Sequence, residues 1–130
     1  MTREEKVQYW LGIADEDFVV ANSLMSAKHW LYVAFMCHQV IEKTLKAYWS
    51  ATKEDIPPYI HNHKRLAEGC GLYTQMNEDQ KDFINAITTY NIEARYPDYK
   101  SRVSASLNEK VCQELMEQTK ELQSWIKSKL

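Results

Sequence analysis

The sequence predicts an all-α protein, an up-and-down four-helix bundle with one additional short helix. The 130 residues include only three Gly and three Pro, which favours long uninterrupted helices over many turns. Apolar residues recur at helical spacing in four long stretches, and the short links between helices make neighbours antiparallel. A chain of this length is expected to form one domain, residues 1–130, that buries a real core.

The first two helices are the most clearly marked. A capping box, Thr2-Arg3-Glu4-Glu5, begins the first helix, which is predicted to extend to about Ser26. After a short link, the central helix is predicted to begin near Trp30. Its segment 33–51 has no Gly or Pro, and one side is too widely apolar for a lone surface helix. That side, which suits the centre of a bundle, consists of Val33, Met36, Cys37, Val40, Ile41, Leu45, Ala47 and Tyr48.

A polar stripe follows the other side of the central helix. It consists of His38, Gln39, Glu42 and Lys46, with Lys43 at its edge. Phe35 and Trp49 lie within this stripe, and large aromatics beside polar residues indicate a partner interface or a ligand groove. We therefore expect a homodimer interface at Phe35 and Trp49. The alternative is a solvated face in which Glu42 and Lys46 form a pair worth about 0.2–0.5 kcal/mol.

The segment after the central helix breaks the helical pattern. Pro57 and Pro58 cannot continue a helix, and they favour an extended conformation before them. A short helix is predicted within 61–70, where Gly69 and Gly71 stop it.

Two more helices are predicted in the rest of the chain. Asn77, with Gln80 three residues later, forms an N-terminal cap. The helix that follows is predicted to reach about Ala94 and to end before Pro97. The motif Ser106-Leu107-Asn108-Glu109 predicts the start of the last helix.

Composition excludes several classes of protein. The net charge of −2 gives no overall basic field to attract nucleic acid, although it does not exclude RNA as a partner. Three cysteines without a CxxC motif indicate reduced thiols in the cytoplasm. No apolar run approaches the ~20 residues of a membrane span, and the charged beginning lacks a secretion signal. We expect a cytoplasmic protein that does not associate with membranes.

Few residues point to chemistry. His61 and His63 could bind a metal, but two ligands do not make a zinc site, and neither a metal nor another cofactor is predicted. Arg95 lies near Tyr96 and Asp98, where its planar guanidinium could bind an anion or be held by Asp98. The sequence has no GxSxG motif and no glycine-rich phosphate loop.

Together these motifs resemble the HEPN family, the higher-eukaryote and prokaryote nucleotide-binding domain. The resemblance is carried by Gln39-Val40-Ile41-Glu42-Lys43-Thr44-Leu45-Lys46-Ala47, by His61-Asn62 after a proline loop, and by Ala94-Arg95-Tyr96-Pro97-Asp98. It implies a helical bundle that usually dimerises. The chain resembles the small stand-alone type encoded beside minimal nucleotidyltransferases in prokaryotes, as a toxin–antitoxin or regulatory pair.

One motif of the HEPN family is missing from this sequence. Many HEPN proteins are metal-independent RNases that use an Arg followed four to six residues later by a His. No His follows His63 in this chain, so the general acid/base is absent at that spacing. We therefore predict a non-catalytic dimer that binds a nucleotide or a partner protein. The predicted groove or interface consists of Gln39, Glu42, Lys43, Lys46, His61, Arg95 and Asp98.

Two alternatives to this function remain. One is an RNase in which His61 or His38 lies near Arg95 and replaces the missing His, with RNA as the ligand. The other is a plain helical interaction protein whose polar stripe is solvated.

Overall fold

The all-α prediction is confirmed. The computed structural model describes residues 1–93 and 96–130, in which there are six α-helices, one short 3₁₀ helix at Tyr73–Gln75 and no strand. The helices are α1 (Arg3–Ser26), α2 (Trp30–Thr52), α3 (His63–Gly69), α4 (Glu78–Thr88), α5 (Pro97–Ala105) and α6 (Glu109–Lys127). Among these described residues, none of the helices has an apolar stretch that could span a bilayer.

Helix α1 forms an antiparallel pair with α2. It begins at the predicted capping box, in which the Thr2 hydroxyl accepts from the Glu5 amide and the Glu5 carboxylate accepts from the Thr2 amide. Its buried residues, Val7, Ala14 and Ala21, recur every seven positions. This heptad spacing places them along one seam, and their small size allows α1 to lie close to α2.

Helix α2 is the centre of the molecule, as predicted. It packs against α1, α3, α4, α5 and α6, and most of its residues are buried. The core around it includes the fully buried Val40, Ile41 and Leu45 of α2, with Leu66, Ile84, Ile87 and Ile126 from α3, α4 and α6. The elements around α2 therefore decide which of its polar side chains reach solvent.

The proline of the Arg-Tyr-Pro-Asp segment begins a helix that the sequence analysis did not predict. Helix α4 ends at Thr88, earlier than the predicted end near Ala94. Pro97 occupies the first turn of α5, after Tyr96 in extended conformation. Proline is tolerated there because the first amides of a helix have no intrahelical acceptor. Pro97 thus starts α5 and does not end α4, which stops at Thr88.

Side-chain caps define the starts of α4 and α6. The capping box of Asn77 and Gln80 is confirmed at α4. At α6 the predicted Ser106-to-Glu109 box is wrong, because Asn108 is the cap and its side chain accepts from the Val111 amide at 2.9 Å. Ser106 instead ends α5, and its hydroxyl donates to the Val103 carbonyl.

Candidate functional site

The polar stripe of α2 is buried. His38 is 0% exposed, Glu42 1% and Lys46 4%. The interpretation of the stripe as a solvated face is therefore wrong. The charged side chains of a helix that is buried on most sides must pair with other groups of the protein, because an unpaired charge is costly to remove from water.

Glu42 is the residue on which the charged groups converge. Its Oε1 lies 2.7 Å from Nδ1 of His61, and its Oε2 lies 3.1 Å from Nζ of both Lys43 and Lys46. Lys43 also donates to the Gln39 side-chain oxygen at 2.6 Å. We call Gln39, Glu42, Lys43, Lys46 and His61 the Glu42 cluster.

The Glu42 cluster keeps its carboxylate ionised. Burial acts to raise the pKa of Glu42, but the charge of Lys43, the hydrogen bond from His61 and the charge of Lys46 outweigh it and lower the pKa to about 2. Charge-assisted hydrogen bonds of this kind are the stronger ones in proteins. Glu42 is therefore negative throughout the physiological pH range.

His61 links the buried carboxylate to the surface. An ionised carboxylate only accepts hydrogen bonds, so Nδ1–H of His61 donates to Glu42 and Nε2 is left for other partners. The His61 side chain is 32% exposed and that of Lys43 is 18% exposed. The cluster thus opens to solvent at these two residues. A carboxylate that fixes the tautomer of a histidine is also the arrangement of general-base sites.

Aromatic rings flank the Lys46 ammonium. Its Nζ lies 5.4 Å from the Trp10 ring centroid and 5.7 Å from that of Tyr59, within the range of cation–π attraction. The Tyr59 ring also meets the His61 ring edge-on, with centroids 5.3 Å apart. Sequence analysis missed Trp10 and Tyr59 because they belong to α1 and to the loop after α2, and no spacing within α2 points to them.

His38 lies beside the cluster without joining its hydrogen bonds. Its Nε2 is 3.7 Å from Glu42 Oε1, too long for a hydrogen bond, and neither ring nitrogen has a partner within residues 1–93 and 96–130. Burial and then the neighbouring His63 lower the pKa of His38 to about 3. His38 is therefore a buried neutral imidazole whose hydrogen-bonding groups are unused.

His63 fixes the start of α3. Its Nε2–H donates to the His38 carbonyl at 3.0 Å, and its Nδ1 lies 2.6 Å from the Thr88 hydroxyl of α4. Burial lowers the pKa of His63 to about 4, so the ring is neutral at pH 7. His61 and His63 thus have different partners, and the described part of the chain has no group of three or more His, Cys, Asp or Glu placed to hold a metal ion.

Asp98 and Arg95 are the two other residues of the predicted groove. Asp98 is exposed in the first turn of α5, and no described hydrogen bond or ion pair joins it to the Glu42 cluster. Arg95 falls outside the described residues, as does its position relative to His61 and His38. The structure therefore brings together Gln39, Glu42, Lys43, Lys46 and His61 of the predicted set.

Trp49 is part of the core. It is 8% exposed, and it packs so closely on Gly69 of α3 that a Cβ at Gly69 would lie 2.4 Å from the indole Cζ3. The predicted homodimer interface included Trp49, but α3 covers this end of α2 and buries the indole. Phe35 is half-buried, with its ring 6.0 Å from that of His38, and a dimer interface there stays a prediction.

Comparison with known proteins identifies one family and one similar fold. The sequence pattern of the HEPN domain matches residues 7–129. The crystal structure of TT1696 from Thermus thermophilus is similar, with a TM-score of 0.82 and 18% identity, over 96% of this chain and 98% of that chain. At this identity the likeness shows the fold alone. No curated protein matches the chain at a significant level.

Proposed function

The chain belongs to the HEPN domain family, and from that membership we propose that it is a non-catalytic homodimer that binds a nucleotide at the Glu42 cluster. We further propose that it works in the cytoplasm of a prokaryote, paired with a minimal nucleotidyltransferase in a toxin–antitoxin-type system. The observation that carries the binding proposal is the convergence of Lys43, Lys46 and His61 on one buried carboxylate, with an opening to solvent.

The charges of the cluster favour an anionic ligand. Lys43 and Lys46 contribute two positive charges and Glu42 one negative charge, which leaves an excess of one positive charge. Glu42 holds Lys43 and His61 in place at the opening. A phosphate there would accept hydrogen bonds from the Lys43 ammonium, which is already oriented, and it would lose less entropy than at mobile lysines.

Thermal melting with and without ATP tests nucleotide binding. A ligand bound only by the folded state adds about 2.7 kcal/mol of stability at 100 times its Kd, so the melting temperature should rise. Lys43→Gln and His61→Gln should abolish most of this rise, and Lys120→Gln, on the exposed surface of α6, should retain it. An unchanged melting temperature with both ATP and GTP at millimolar concentration would contradict the proposal.

The pairing with a nucleotidyltransferase is supported by the motifs that resemble the small stand-alone HEPN proteins. The reading frame next to the gene should encode a small nucleotidyltransferase, and the two products should elute together from a size-exclusion column after co-expression. Separate elution of the two proteins would contradict the pairing.

The Glu42–His61 hydrogen bond favours a second function, a metal-independent RNase. In that case His61, oriented by Glu42, would act as the general base, and Arg95 would bind the scissile phosphate. Purified protein would cleave RNA in the presence of a chelator, and His61→Gln and Arg95→Ala would each remove the cleavage. Absence of cleavage at high protein concentration would leave the binding function as the better description.

A further inference from the structure

A cleft lies between the N-terminal half of α1 and the loop after α2. Its volume is about 290 Å³, close to the lower limit for small-molecule sites, so it has room for one ring system. The residues that line it include Lys6, Tyr9, Trp10, Ser50, Ile56 and Pro57. Its walls are therefore mostly aromatic and apolar, and none of its lining residues is a carboxylate.

Ser50 provides an unused polar group in this cleft. The residue is 4% exposed, and its hydroxyl has no hydrogen-bond partner among residues 1–93 and 96–130. Thr44 and Thr52, in the same helix, each donate to the carbonyl four residues earlier, at 2.7 and 2.9 Å. Buried hydroxyls are normally hydrogen-bonded, so the Ser50 hydroxyl has an unused hydrogen-bonding capacity beside the cleft.

The cleft adjoins the Glu42 cluster through Trp10. The Trp10 ring lines the cleft and lies 5.4 Å from Nζ of Lys46, and Lys46 is bound to Glu42. Ser50 follows Lys43, which lies at the opening of the cluster, by seven residues, which is a rise of about 10 Å along the helix. This spacing corresponds to the separation between a ring and a phosphate within one ligand. Lys6 adds a further positive charge at the cleft.

We infer that this cleft is the base subsite of the nucleotide whose phosphates are bound at the Glu42 cluster, an inference that rests on the proposed function. The base lies against Tyr9 and Trp10, and the Ser50 hydroxyl hydrogen-bonds a polar atom on its edge. Ile56, which is 74% exposed, becomes covered at the mouth of the cleft. Lys6 and Lys46 make an anionic ligand preferable to an apolar side chain from a protein partner.

Comparison of ATP with inorganic tripolyphosphate by isothermal titration of the full chain tests this inference. Base stacking on an aromatic residue gives roughly 5- to 150-fold in affinity, so ATP should bind at least about 5-fold more tightly. Ser50→Leu, which fills the cleft, should reduce ATP affinity to that of tripolyphosphate and leave tripolyphosphate affinity unchanged. Ser124→Leu, at an exposed position of α6, is the matched control and should retain the preference.

A second variant covers the case in which Ser50→Leu does not fold. Ile56→Gly changes an exposed loop residue and should reduce the preference for ATP several-fold without affecting tripolyphosphate. Equal affinity of the wild type for ATP and tripolyphosphate would overturn the base subsite and leave phosphate binding intact. No binding of either ligand would overturn the proposed function itself. A dimer that becomes a monomer in Ser50→Leu would overturn the inference by identifying a second copy as the occupant.

Discussion

The Glu42 carboxylate and the His61 imidazole lie 2.7 Å apart, Oε1 to Nδ1, although 19 positions separate them in the sequence. Glu42 is 1% exposed and the His61 side chain is 32% exposed. A buried charge therefore determines which nitrogen of a partly exposed histidine carries the proton. Because Lys43 and Lys46 hold the other carboxylate oxygen, a change at Glu42 should affect stability and ligand binding together.

Glu42→Gln should destabilise the protein strongly. The substitution removes the negative charge and leaves Lys46, which is 4% exposed, without its counterion. Breaking a buried pair from one side typically costs about 3–5 kcal/mol of the free energy of unfolding. Urea unfolding at pH 7.5 measures this loss.

Two controls separate the buried charge from other effects of that substitution. Asp15→Asn breaks the Asp15–Lys127 pair, whose side chains are 55% and 37% exposed, and should cost about 1 kcal/mol or less. The double variant Glu42→Gln/Lys46→Met should recover most of the lost stability, because it also removes the unpaired ammonium. A Glu42→Gln protein as stable as the wild type would contradict the internal pairing.

The stability of the protein should fall as the pH falls below 6.5. The pKa values of His38 and His63 are lowered from 6.5 to about 3 and about 4, so the unfolded chain binds protons there that the folded chain does not. Each histidine should reduce the free energy of unfolding by about 1.4 kcal/mol per pH unit between 6.5 and its folded-state pKa. Glu42, with its pKa lowered from 4.5 to about 2, should add to the slope below pH 4.5.

The variant His38→Leu should halve this slope between pH 5 and 6.5. At pH 7.5 it should leave the free energy of unfolding unchanged or higher, because it removes a buried polar group that lacks partners. His29→Gln, at an exposed position before α2, should retain the wild-type slope. Urea midpoints at pH 7.5, 6.5, 5.5 and 5 measure all three proteins, and an unchanged slope in His38→Leu would contradict its assignment as a buried neutral group.

Gly69→Ala and Gly12→Ala should have opposite effects. A Cβ at Gly69 would lie 2.4 Å from the Trp49 ring, and overpacking of this kind costs about 1–3 kcal/mol. Gly12 lies within α1 with no atom within 4 Å of the added Cβ, so its substitution should stabilise the helix by about 0.5–1 kcal/mol. Thermal unfolding compares the two, and Trp49→Phe should relieve the effect of Gly69→Ala. A Gly69→Ala protein more stable than the wild type would contradict the close packing of Trp49 on Gly69.

Light scattering should show a dimer that depends on Phe35. Phe35 is half-buried on α2, near the N-terminal end of the polar stripe, and Phe35→Glu should reduce the mass to that of the 15.3 kDa monomer. The matched control Lys120→Glu, on α6, should leave the dimer intact. Trp49→Glu does not test the interface, because it places a charge in the core. A monomeric wild type would contradict the dimer, and an undisturbed mass in Phe35→Glu would move the interface elsewhere.

Local sequence signals were sufficient for most of the helices. The caps at Thr2 and Asn77 are short patterns with a direct hydrogen-bonding cause, and both are present. The helical spacing of α2 also placed its polar residues on one side of the helix, and their side chains contact each other in the structure. Pro97 shows the limit of such signals, since the same proline is unfavourable inside one helix and favourable in the first turn of the next.

Burial of the polar stripe could not be predicted in the same way. Helical spacing gives the direction of a side chain relative to its own helix, but it does not show which elements cover that side. Trp10 and Tyr59 approach Lys46 from other parts of the chain, and α3 covers Trp49. The cluster of Glu42 and His61 likewise depends on a contact between distant positions. Most residues of the Glu42 cluster could thus be named from the sequence. Their burial, and the residues that cover them, could not.

His63 anchors one end of the loop between α2 and α3 to two helices. The Lys53 amide donates to the Trp49 carbonyl at one end of this loop, and His63 is attached to two helices at the other. Residues 54–62 therefore form a strap tethered at both ends, which carries Ile56, Tyr59 and His61. We expect that replacing residues 54–62 with a different loop of the same length would change ligand selectivity and leave the arrangement of the helices unchanged.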